Sequence, residues 1–413
     1  MKTTTLDSKV AAFCEGLIPT QLTALQTQQG QAQAFLDSND FPTTRHERYK
    51  YTRLAKLANT EFSAFKLSDA ATLQAYQLDA DAYTVYIHGA QFELPSDLPK
   101  GLSLTLISQQ NDAMTTELED VFDALSSRYC HDGLVLHLAD NTTLDKPIQI
   151  IQVDNGGKFF YKHHFSFGKN AEAKIWYAHF AQQASCSFSH THLTIDVQEE
   201  ARIQIDKLQA ANDTHFAFAK EHIIQAQRSH FTINTYTLSG AFVRNEVTVA
   251  VAGQHAETHL NGAYLLKGQQ HVANYTTIDH QVPNCESFEN YRGIADEKAS
   301  AVFNGKVFVR PDAQKTNAYQ SNASIVLGPD ASINSKPELE IYADDVKCSH
   351  GSTTGQLDEN ALFYLRARGI GETAARTLLL QAFMAEVLEA ASPVVQTVLQ
   401  QKISQRFHWE IQE

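Results

Sequence analysis

Cys348 and His350 are the most informative pair of potentially reactive side chains in this 413-residue sequence. They are two positions apart, so an extended backbone would point both side chains in the same direction. A thiolate beside an imidazole suits iron or an iron–sulfur species, and it can also form a nucleophilic dyad. A buried cysteine next to an unrelated histidine is the simpler alternative. Because two ligands do not complete a metal site, a metal here would need a second chain, which indicates an interface.

Two histidine pairs lie in the middle of the chain. His190 and His192 are two apart and would share one face of a strand, whereas His163 and His164 are adjacent and would point to opposite faces. Histidines on one strand face can bind a metal. We interpret the first pair instead as part of a polar strand that faces solvent.

Residues 279–285 bring a carboxylate, an imidazole and a thiol together within one short segment. They could form a ligand loop. Pro283 and Asn284 are typical turn residues, and they favour a corner between strands.

No nucleotide-binding loop, zinc-protease motif or hydrolase elbow occurs in the sequence. A β-helix carbohydrate-active enzyme would use carboxylates such as Asp206, Asp213, Glu221 and Glu246, but their spacing singles out no acid–base pair. A carbohydrate-active enzyme of this kind is kept as a remote alternative.

The composition limits the partners and the compartment. Lys and Arg number 33 against 47 Asp and Glu, a formal net charge of −14, which disfavours nucleic acid and anionic membranes as partners. The sequence contains no apolar run long enough to span a membrane, and residues 1–7 do not resemble a secretory signal. Five scattered cysteines without a CxxC motif argue against disulfides and structural zinc. These features predict a cytoplasmic protein.

The elements that must position these residues change along the chain. The N-terminal segment, up to about residue 75, is rich in Gln, Ala and Leu and predicts helices. Short strands at 83–87 and 102–107 and a helix over 114–129 are predicted to follow. From about residue 133 to residue 342, short alternating runs separated by Gly, Asn and Asp predict β-structure.

A weak internal repeat runs through the β-rich region. Small residues precede alternating runs at Ala173, Ala201, Ser229 and Ala256, an almost constant spacing of about 28 residues. Regular spacing on this scale favours a solenoid, in which each repeat forms one coil of a parallel β-helix. A β-sandwich with coincidental spacing is the alternative.

The C-terminal region predicts three short amphipathic helices. The first would be capped by Asp358 and ended by Gly369, the second spans about 372–390, and the third has Ser392 as its cap and Pro393 at its first position. We expect them to pack within the chain, with a partner-binding face as the alternative.

The predicted architecture is thus mainly β, with a parallel β-helix flanked by helical regions. We divide it into an N-terminal, mainly helical region with a short strand pair (1–132), a β-helix core (133–345) and a C-terminal helical domain (346–413).

Several long segments resemble the SufB/SufD family of iron–sulfur cluster assembly proteins, in particular its SufD-type members. The segments are long, unusual in composition and spread over nearly the whole chain: 41–52, 274–280, 302–320, 336–351 and 362–369.

The resemblance implies a right-handed parallel β-helix that serves as a non-enzymatic scaffold. It implies a heterodimer with a SufB-like subunit through the C-terminal end of the β-helix. It also implies that the C-terminal helices dock a SufC-like ABC ATPase, the partner to which ATPase activity would belong. A homodimer is the alternative for the isolated chain.

The resemblance further implies that Cys348 and His350 face the interface with the SufB-like subunit, where a cluster assembles. His350 is the candidate metal ligand, shared with the partner, while Asp344, Asp345 and Lys347 would shape the junction. No cofactor is expected to be held tightly by this chain alone. A transient iron–sulfur cluster at the interface and a reduced flavin in the complex are the expected groups.

Two places distinguish the two kinds of subunit. SufB members usually carry a cysteine where this chain has Ala323, and they tend to have Glu-His-Glu where this chain has residues 348–350. A SufB-like, sulfur-accepting scaffold that acts as a homodimer therefore remains the second alternative.

Overall fold

The computed structural model describes residues 8–112, 114, 117–182 and 185–407, so the expectation about a signal at residues 1–7 lies outside the described part. Eight α-helices occur in that part: α1 Lys9–Cys14, α2 Gln29–Ser38, α3 Ala55–Ala58, α4 Ala70–Gln74, α5 Val121–Tyr129, α6 Glu359–Ala367, α7 Glu372–Leu388 and α8 Pro393–Phe407.

Nineteen strands are formed by the described residues, and most of those in the middle have the same length. The first nine are β1 Tyr83–His88, β2 Gln91–Glu93, β3 Leu102–Leu106, β4 Leu134–Leu138, β5 Ile148–Asp154, β6 Lys158–Phe167, β7 Glu172–Ala181, β8 Phe188–Val197 and β9 Arg202–Ala210. The others are β10 Phe216–Gln225, β11 His230–Ser239, β12 Phe242–Val251, β13 Glu257–Leu266, β14 His271–His280, β15 Glu286–Ala295, β16 Ser300–Val309, β17 Asn317–Val326, β18 Ser332–Ile341 and β19 Lys347–Gly355.

The strands form two sheets that the chain visits alternately. Sheet A has the order β19-β17-β15-β13-β11-β9-β7-β5-β1-β2, and sheet B has the order β18-β16-β14-β12-β10-β8-β6-β4-β3. From β4 to β17, every strand pairs in parallel with the strand two places later. This is the predicted parallel β-helix, which is confirmed together with helical regions at both ends. Its right-handed sense stays a prediction implied by the resemblance, in line with the general preference of parallel crossovers.

One corner of the solenoid repeats a single backbone conformation. In seven coils a residue other than glycine adopts a positive φ once per coil, at nearly regular intervals: Asn141, Asn170, Glu200, Arg228, His255, Asn284 and Lys315. In six of these coils a small residue follows it, such as Ala201, Ser229 or Cys285, and is buried. The positive-φ residue therefore marks the same corner in each of these coils.

The outer faces of the sheets are covered by the two ends of the chain. Phenylalanines of sheet B, including Phe188 and Phe218, pack against Phe13, Phe41 and Phe122 from the N-terminal region. Burying each ring contributes about 1.5–3 kcal/mol.

The C-terminal helices cover sheet A in the same way. Met384 and Val387 of α7 pack against the apolar outer residues of this sheet, and the Tyr236 hydroxyl donates to the Val387 carbonyl over 2.9 Å. The expectation that the C-terminal helices pack within the chain is confirmed. Because both faces of the central strands are buried, those strands carry few polar side chains that reach water.

The interior combines an apolar stack with buried polar side chains. Ile205 and Ile223 belong to the apolar stack, and Lys207 and Glu221, two positions away on the same strands, also point inward. The ammonium group of Lys207 and the carboxylate of Glu221 form an ion pair, with side chains 7% and 3% exposed. Desolvation makes such a pair costly to break from one side only.

Several predicted boundaries differ from the structure. The helix expected over 114–129 begins only at Val121, where Asp120 accepts from the backbone N–H groups of Phe122 and Asp123. Residues 115 and 116 of that prediction lie outside the described part. The repeat position equivalent to Ala201 is Ala171 rather than Ala173, because Glu172 pairs with Arg202.

The largest difference concerns the end of the β-helix. β19 extends the solenoid to Gly355, so the beginning of the predicted helical domain 346–413 forms no helix. The strand was missed because it lacks apolar alternation, and it lacks this because no further coil covers it. At the other end of the solenoid, β1 pairs with β5 in sheet A and β3 pairs with β4 in sheet B. The two short strands predicted in the N-terminal region therefore do not pair with each other, and each extends one of the two sheets. The three-part division into domains stays a prediction.

Candidate functional site

The last coil of the solenoid carries the candidate site. β19 pairs with β17 and β18 pairs with β16, and each of these last strands ends its sheet. In the register of β19, Cys348 lies opposite Ala318 and His350 lies opposite Gln320. Ala318 and Gln320 are buried in the interior, so Cys348 and His350 both lie on the inward face at the open end. The predicted common direction of the two side chains is confirmed, whereas their role as ligands stays a prediction.

The two side chains differ in environment. His350 is exposed, whereas Cys348 is half-buried against an apolar cluster that includes Val309 and Ala343. Burial raises the pKa of the Cys348 thiol, although a backbone hydrogen bond from Ala318 opposes this shift. The free chain therefore keeps Cys348 protonated at neutral pH, and a metal ion or a partner's cation would be needed to form the thiolate.

The three predicted junction residues do not converge on this pair. Asp345 belongs to the corner below, where its carboxylate forms an ion pair with Lys315 and its backbone N–H donates to Gln314 over 3.0 Å. Lys347 is adjacent to Cys348 on the strand and so lies on the opposite face. Asp344 is exposed in the turn between β18 and β19. Their effect on a junction stays a prediction.

Two interior residues beneath the last coil were missed by the sequence reasoning. The Gln320 amide donates to the Glu289 carboxyl over 2.6 Å, and burial raises the pKa of Glu289 to about 7. Among the described residues, Oε1 of Glu289 and Oε1 of Gln320 have no hydrogen-bond partner. Neighbouring strands lie about 4.8 Å apart, so Gln320 lies directly below His350 and the titratable Glu289 lies one strand further down. The period-2 alternation of β15 and β17 indicates which residues share a face with these side chains, but not that this face is the inner one.

Serine and asparagine side chains tie the last two strands together. The Ser335 hydroxyl of β18 lies 2.9 Å from Oδ1 of Asn322 and 2.8 Å from the Ser352 hydroxyl of β19. These bonds cross the interior from sheet B to sheet A. They link the two sheets at the open end, where no further coil covers them.

The central histidines are not part of this site. His190 and His192 are buried beneath the N-terminal region, 2% and 5% exposed, so the prediction of a solvent-facing strand is wrong. Helix α5 covers this face: Phe122 stacks on the ring of His190. His163 and His164 do point to opposite faces, because His163 is buried inside against Tyr177 and His164 pairs with Asp196 on the outside.

Residues 279–285 form a corner, as predicted. β14 ends at His280, Asn284 adopts a positive φ of 62°, and β15 begins at Glu286. Cys285 occupies the small buried position of the coil, and burial raises the pKa of its thiol. These contacts give it a packing role.

The C-terminal helices begin and end largely as the sequence indicated. The Asp358 carboxylate accepts from the backbone N–H groups of Asn360 and Ala361 at the start of α6, and Gly369 has a φ of 89° after its end. Phe363, Tyr364 and Leu378 remain exposed on this region, at 74%, 58% and 39%. Within the described residues, no helix is long and apolar enough to cross a membrane.

Comparisons with known proteins identify a family for this chain. Residues 150–383 match the family model described as "SUF system FeS cluster assembly, SufBD core domain", which covers more than half of the chain.

Three curated relatives match over most of their length. The iron–sulfur cluster assembly protein SufD of Escherichia coli (strain K12) is 29% identical over 363 residues, spanning 84% of this chain and 85% of that protein. A SufBD family protein of Synechocystis is 29% identical over 86% of this chain and 84% of its own. The chloroplastic protein ABCI7 of Arabidopsis thaliana is 25% identical over 90% of this chain and 83% of its own.

Proposed function

The chain belongs to the SufB/SufD family of iron–sulfur cluster assembly proteins and is of the SufD type, and from this premise we propose that it is a non-enzymatic scaffold subunit of a SufBCD-type complex. In this proposal it pairs with a SufB-like subunit through its last coil. A cluster assembles between the two chains, with His350 as a ligand from this side and Cys348 beside it.

The observation that carries the proposal is the open last coil. β18 and β19 end their sheets, and their inward side chains are exposed or partly exposed, whereas the equivalent positions of the preceding coils are buried. An unpaired sheet edge with backbone donors and acceptors favours pairing with a further strand. A second β-helix docked end to end would bury this surface and supply the ligands that Cys348 and His350 alone cannot.

The exposed apolar residues of the C-terminal helices support docking of a SufC-like ATPase. Phe363 and Tyr364 lie on α6, and Leu378 lies on α7. Large exposed aromatic residues of this kind are characteristic of protein–protein contacts. The ATPase chemistry would then belong to the partner, and this chain would transmit or receive its movement.

The proposal extends to location and to bound groups. It places the chain in the cytoplasm, in line with the net charge of −14 and the unpaired cysteines. The cluster at the interface is transient cargo, and a reduced flavin would be held by the assembled complex rather than by this chain alone.

Co-expression tests the proposal directly. The full-length chain is produced with the SufB-like and SufC-like proteins of the same organism, purified through a tag on this chain, and weighed by native mass spectrometry. We expect one copy of this chain, one SufB-like subunit and two SufC-like subunits. Purification of this chain without either partner would overturn the scaffold proposal.

A matched pair of variants tests the surface assigned to the ATPase. Phe363→Ala on α6 should release the SufC-like protein bound to this chain but keep the SufB-like subunit. Tyr51→Ala is the control, because it removes an aromatic residue of the N-terminal region that is 43% exposed, and it should leave the complex intact. Equal retention of both partners by the two variants would contradict the docking assignment.

A further inference from the structure

Three metal-binding side chains meet inside the first coils of the solenoid, far in sequence from Cys348 and His350. Asp154 ends β5, His179 lies on β7, and His215 directly precedes β10. All three are buried, and one ligand atom from each lies within 4.8 Å of the others. Among the described residues, this is the one group of three or more such side chains at that separation.

The two imidazoles converge on the same carboxylate oxygen. Nε2 of His179 lies 2.7 Å from Oδ2 of Asp154, and Nε2 of His215 lies 3.6 Å from the same atom. Around a zinc-like ion with bonds of about 2.0–2.1 Å, ligand atoms stand about 2.9–3.4 Å apart. The two observed distances bracket this range, and all three ligand atoms lie within 4.8 Å of one another, so small side-chain shifts would bring them around one ion.

Neighbouring hydroxyl and amide groups hold the imidazoles in this direction. Nδ1 of His215 lies 2.7 Å from the Ser187 hydroxyl, which can accept the Nδ1 proton. The Nε2 lone pair is then available to accept from the Ser189 hydroxyl, 3.2 Å away, or to bind an ion. The Gln152 amide lies 3.2 Å from Nε2 of His179 and accepts from the Tyr177 hydroxyl over 2.9 Å, so an ion bound at that nitrogen would replace the amide contact. Outer hydrogen bonds that fix ring orientation are a regular feature of metal-binding histidines.

We propose that Asp154, His179 and His215 form a binding site for a single divalent transition-metal ion inside the β-helix. Two imidazoles and one carboxylate suit zinc or ferrous iron and disfavour magnesium and calcium, which prefer oxygen ligands. The ion would offset the negative charge of a carboxylate that is enclosed in the protein. The His179 side chain, 10% exposed, marks the route by which the ion enters.

The proposed metal site is separate from the proposed cluster-assembly interface and has a different set of ligands. All of its ligands come from this chain and contain no sulfur, so it needs no partner subunit. The alternative without metal is a hydrogen-bonded network in which His179 donates to Asp154. In that network His215 bonds to the hydroxyls of Ser187 and Ser189 and lies 3.6 Å from the carboxylate, too far to bond with it.

Metal content of the full-length chain tests the inference. The protein is stripped with a chelator, dialysed against Zn²⁺ alone, and assayed by plasma mass spectrometry and competition titration. We expect one equivalent of zinc in the wild type. His179→Gln and Asp154→Asn should bind at least about 100-fold more weakly, since loss of an outer-shell partner alone typically costs about 10–100-fold.

The matched control is His164→Gln. His164 forms a two-member pair with Asp196 on the outside of the solenoid, 2.8 Å apart, and its loss should leave the zinc content unchanged. Wild-type protein that takes up no zinc, or His179→Gln protein that retains the full equivalent, would overturn the inference.

Cobalt substitution decides the matter should the buried variants fail to fold. Wild-type protein loaded with Co²⁺ should show visible ligand-field bands and no thiolate-to-metal charge-transfer band, because the three ligands are nitrogen and oxygen. A strong charge-transfer band would instead assign the metal to one of the five free cysteines and refute the site.

Discussion

The central coils and the last coil share one backbone arrangement but differ in what covers their side chains. In β12, eight of ten residues are buried, whereas in β19 eight of nine are exposed. Each strand pairs in parallel with its neighbour, β12 with β14 and β19 with β17, without a shift in register. Pairing therefore continues to the end of the solenoid, and burial does not.

This difference separates what folds the chain from what the chain offers to a partner. The central strands gain their stability from the apolar stack inside and from the two terminal regions outside. The last coil has one neighbour instead of two, so its inward side chains contribute little to folding. Changes in the centre should therefore affect stability, and changes at the end should affect association.

The strongest test of this comparison replaces one carboxylate in each region. Glu221→Gln leaves the Lys207 ammonium buried without its counter-ion, and we expect a loss of about 3–5 kcal/mol in the free energy of unfolding. Asp345→Asn breaks the exposed pair with Lys315, and should cost less than about 1 kcal/mol. Urea unfolding measures both. Similar losses at the two positions would break the comparison.

The pH dependence of the free energy of unfolding tests whether Glu289 belongs to the buried central coils or to the open end. Its pKa of about 7 lies above the usual value of about 4.3, so the folded state binds the proton more tightly than the unfolded state. The stability from this proton is complete below about pH 4.3 and is lost as the pH rises through about 7. Glu289→Gln cannot lose a proton, so its stability relative to the wild type should rise by up to about 3 kcal/mol between pH 5 and pH 8.

Urea unfolding of both proteins at the two pH values gives this difference. A Glu289→Gln variant whose stability relative to wild type is independent of pH would show that the carboxyl is hydrated, and so belongs to the open end. Gln320→Glu is not a suitable control, because it would place a second carboxyl beside the first.

Two cysteines allow the same substitution in both regions. Cys285→Ala removes a fully buried thiol from a central corner and should lower the free energy of unfolding by about 1 kcal/mol, the scale of one buried methylene group. Cys348→Ala, at a half-buried position of the last coil, should cost less than about 0.5 kcal/mol. Thermal unfolding of the two variants in parallel provides the ranking, and an inverted order would refute it.

The smallest effect on stability is expected at His350. His350→Ala should change the free energy of unfolding by no more than about 0.5 kcal/mol, because the side chain is exposed. It should nevertheless lower the yield of iron–sulfur cluster in the assembled complex several-fold, as read from visible absorbance and iron content. His137→Ala, an exposed histidine on β4 near the other end, should do neither. Wild-type cluster yield in the His350→Ala complex would remove His350 from the proposed site.

The sequence predicted the solenoid because small residues and turn residues recur at the corners, about once every 28 residues. It predicted the common face of Cys348 and His350 because alternation along a strand is a local property. It did not predict the burial of His190 and His192, since alternation tells which residues share a face but not which distant segment covers it. Helix α5, which lies much earlier in the chain, decided that outcome.

The polar interior escaped prediction for a related reason. Glu289 and Gln320 are spaced like solvent-facing residues, and only the three-dimensional stacking of coils reveals that they point inward. The same holds for Asp154, His179 and His215, which come from three strands or their ends and are widely separated in the sequence. Motifs of a few consecutive residues cannot reveal side chains that meet only when separate coils stack.

The positive-φ corner residue that recurs once per coil, from Asn141 to Lys315, divides the solenoid into equivalent units that could be removed or added whole. Removing residues 228–254 would join Gln227 to His255 and so pass from one left-handed corner to the next without altering the turn. The shortened chain would bring β13 onto β9 and β14 onto β10, and would move the open end about 4.8 Å closer to the N-terminal coils. Gains and losses of one whole coil are therefore the insertions and deletions that this architecture tolerates best, and relatives of different length should differ by whole coils.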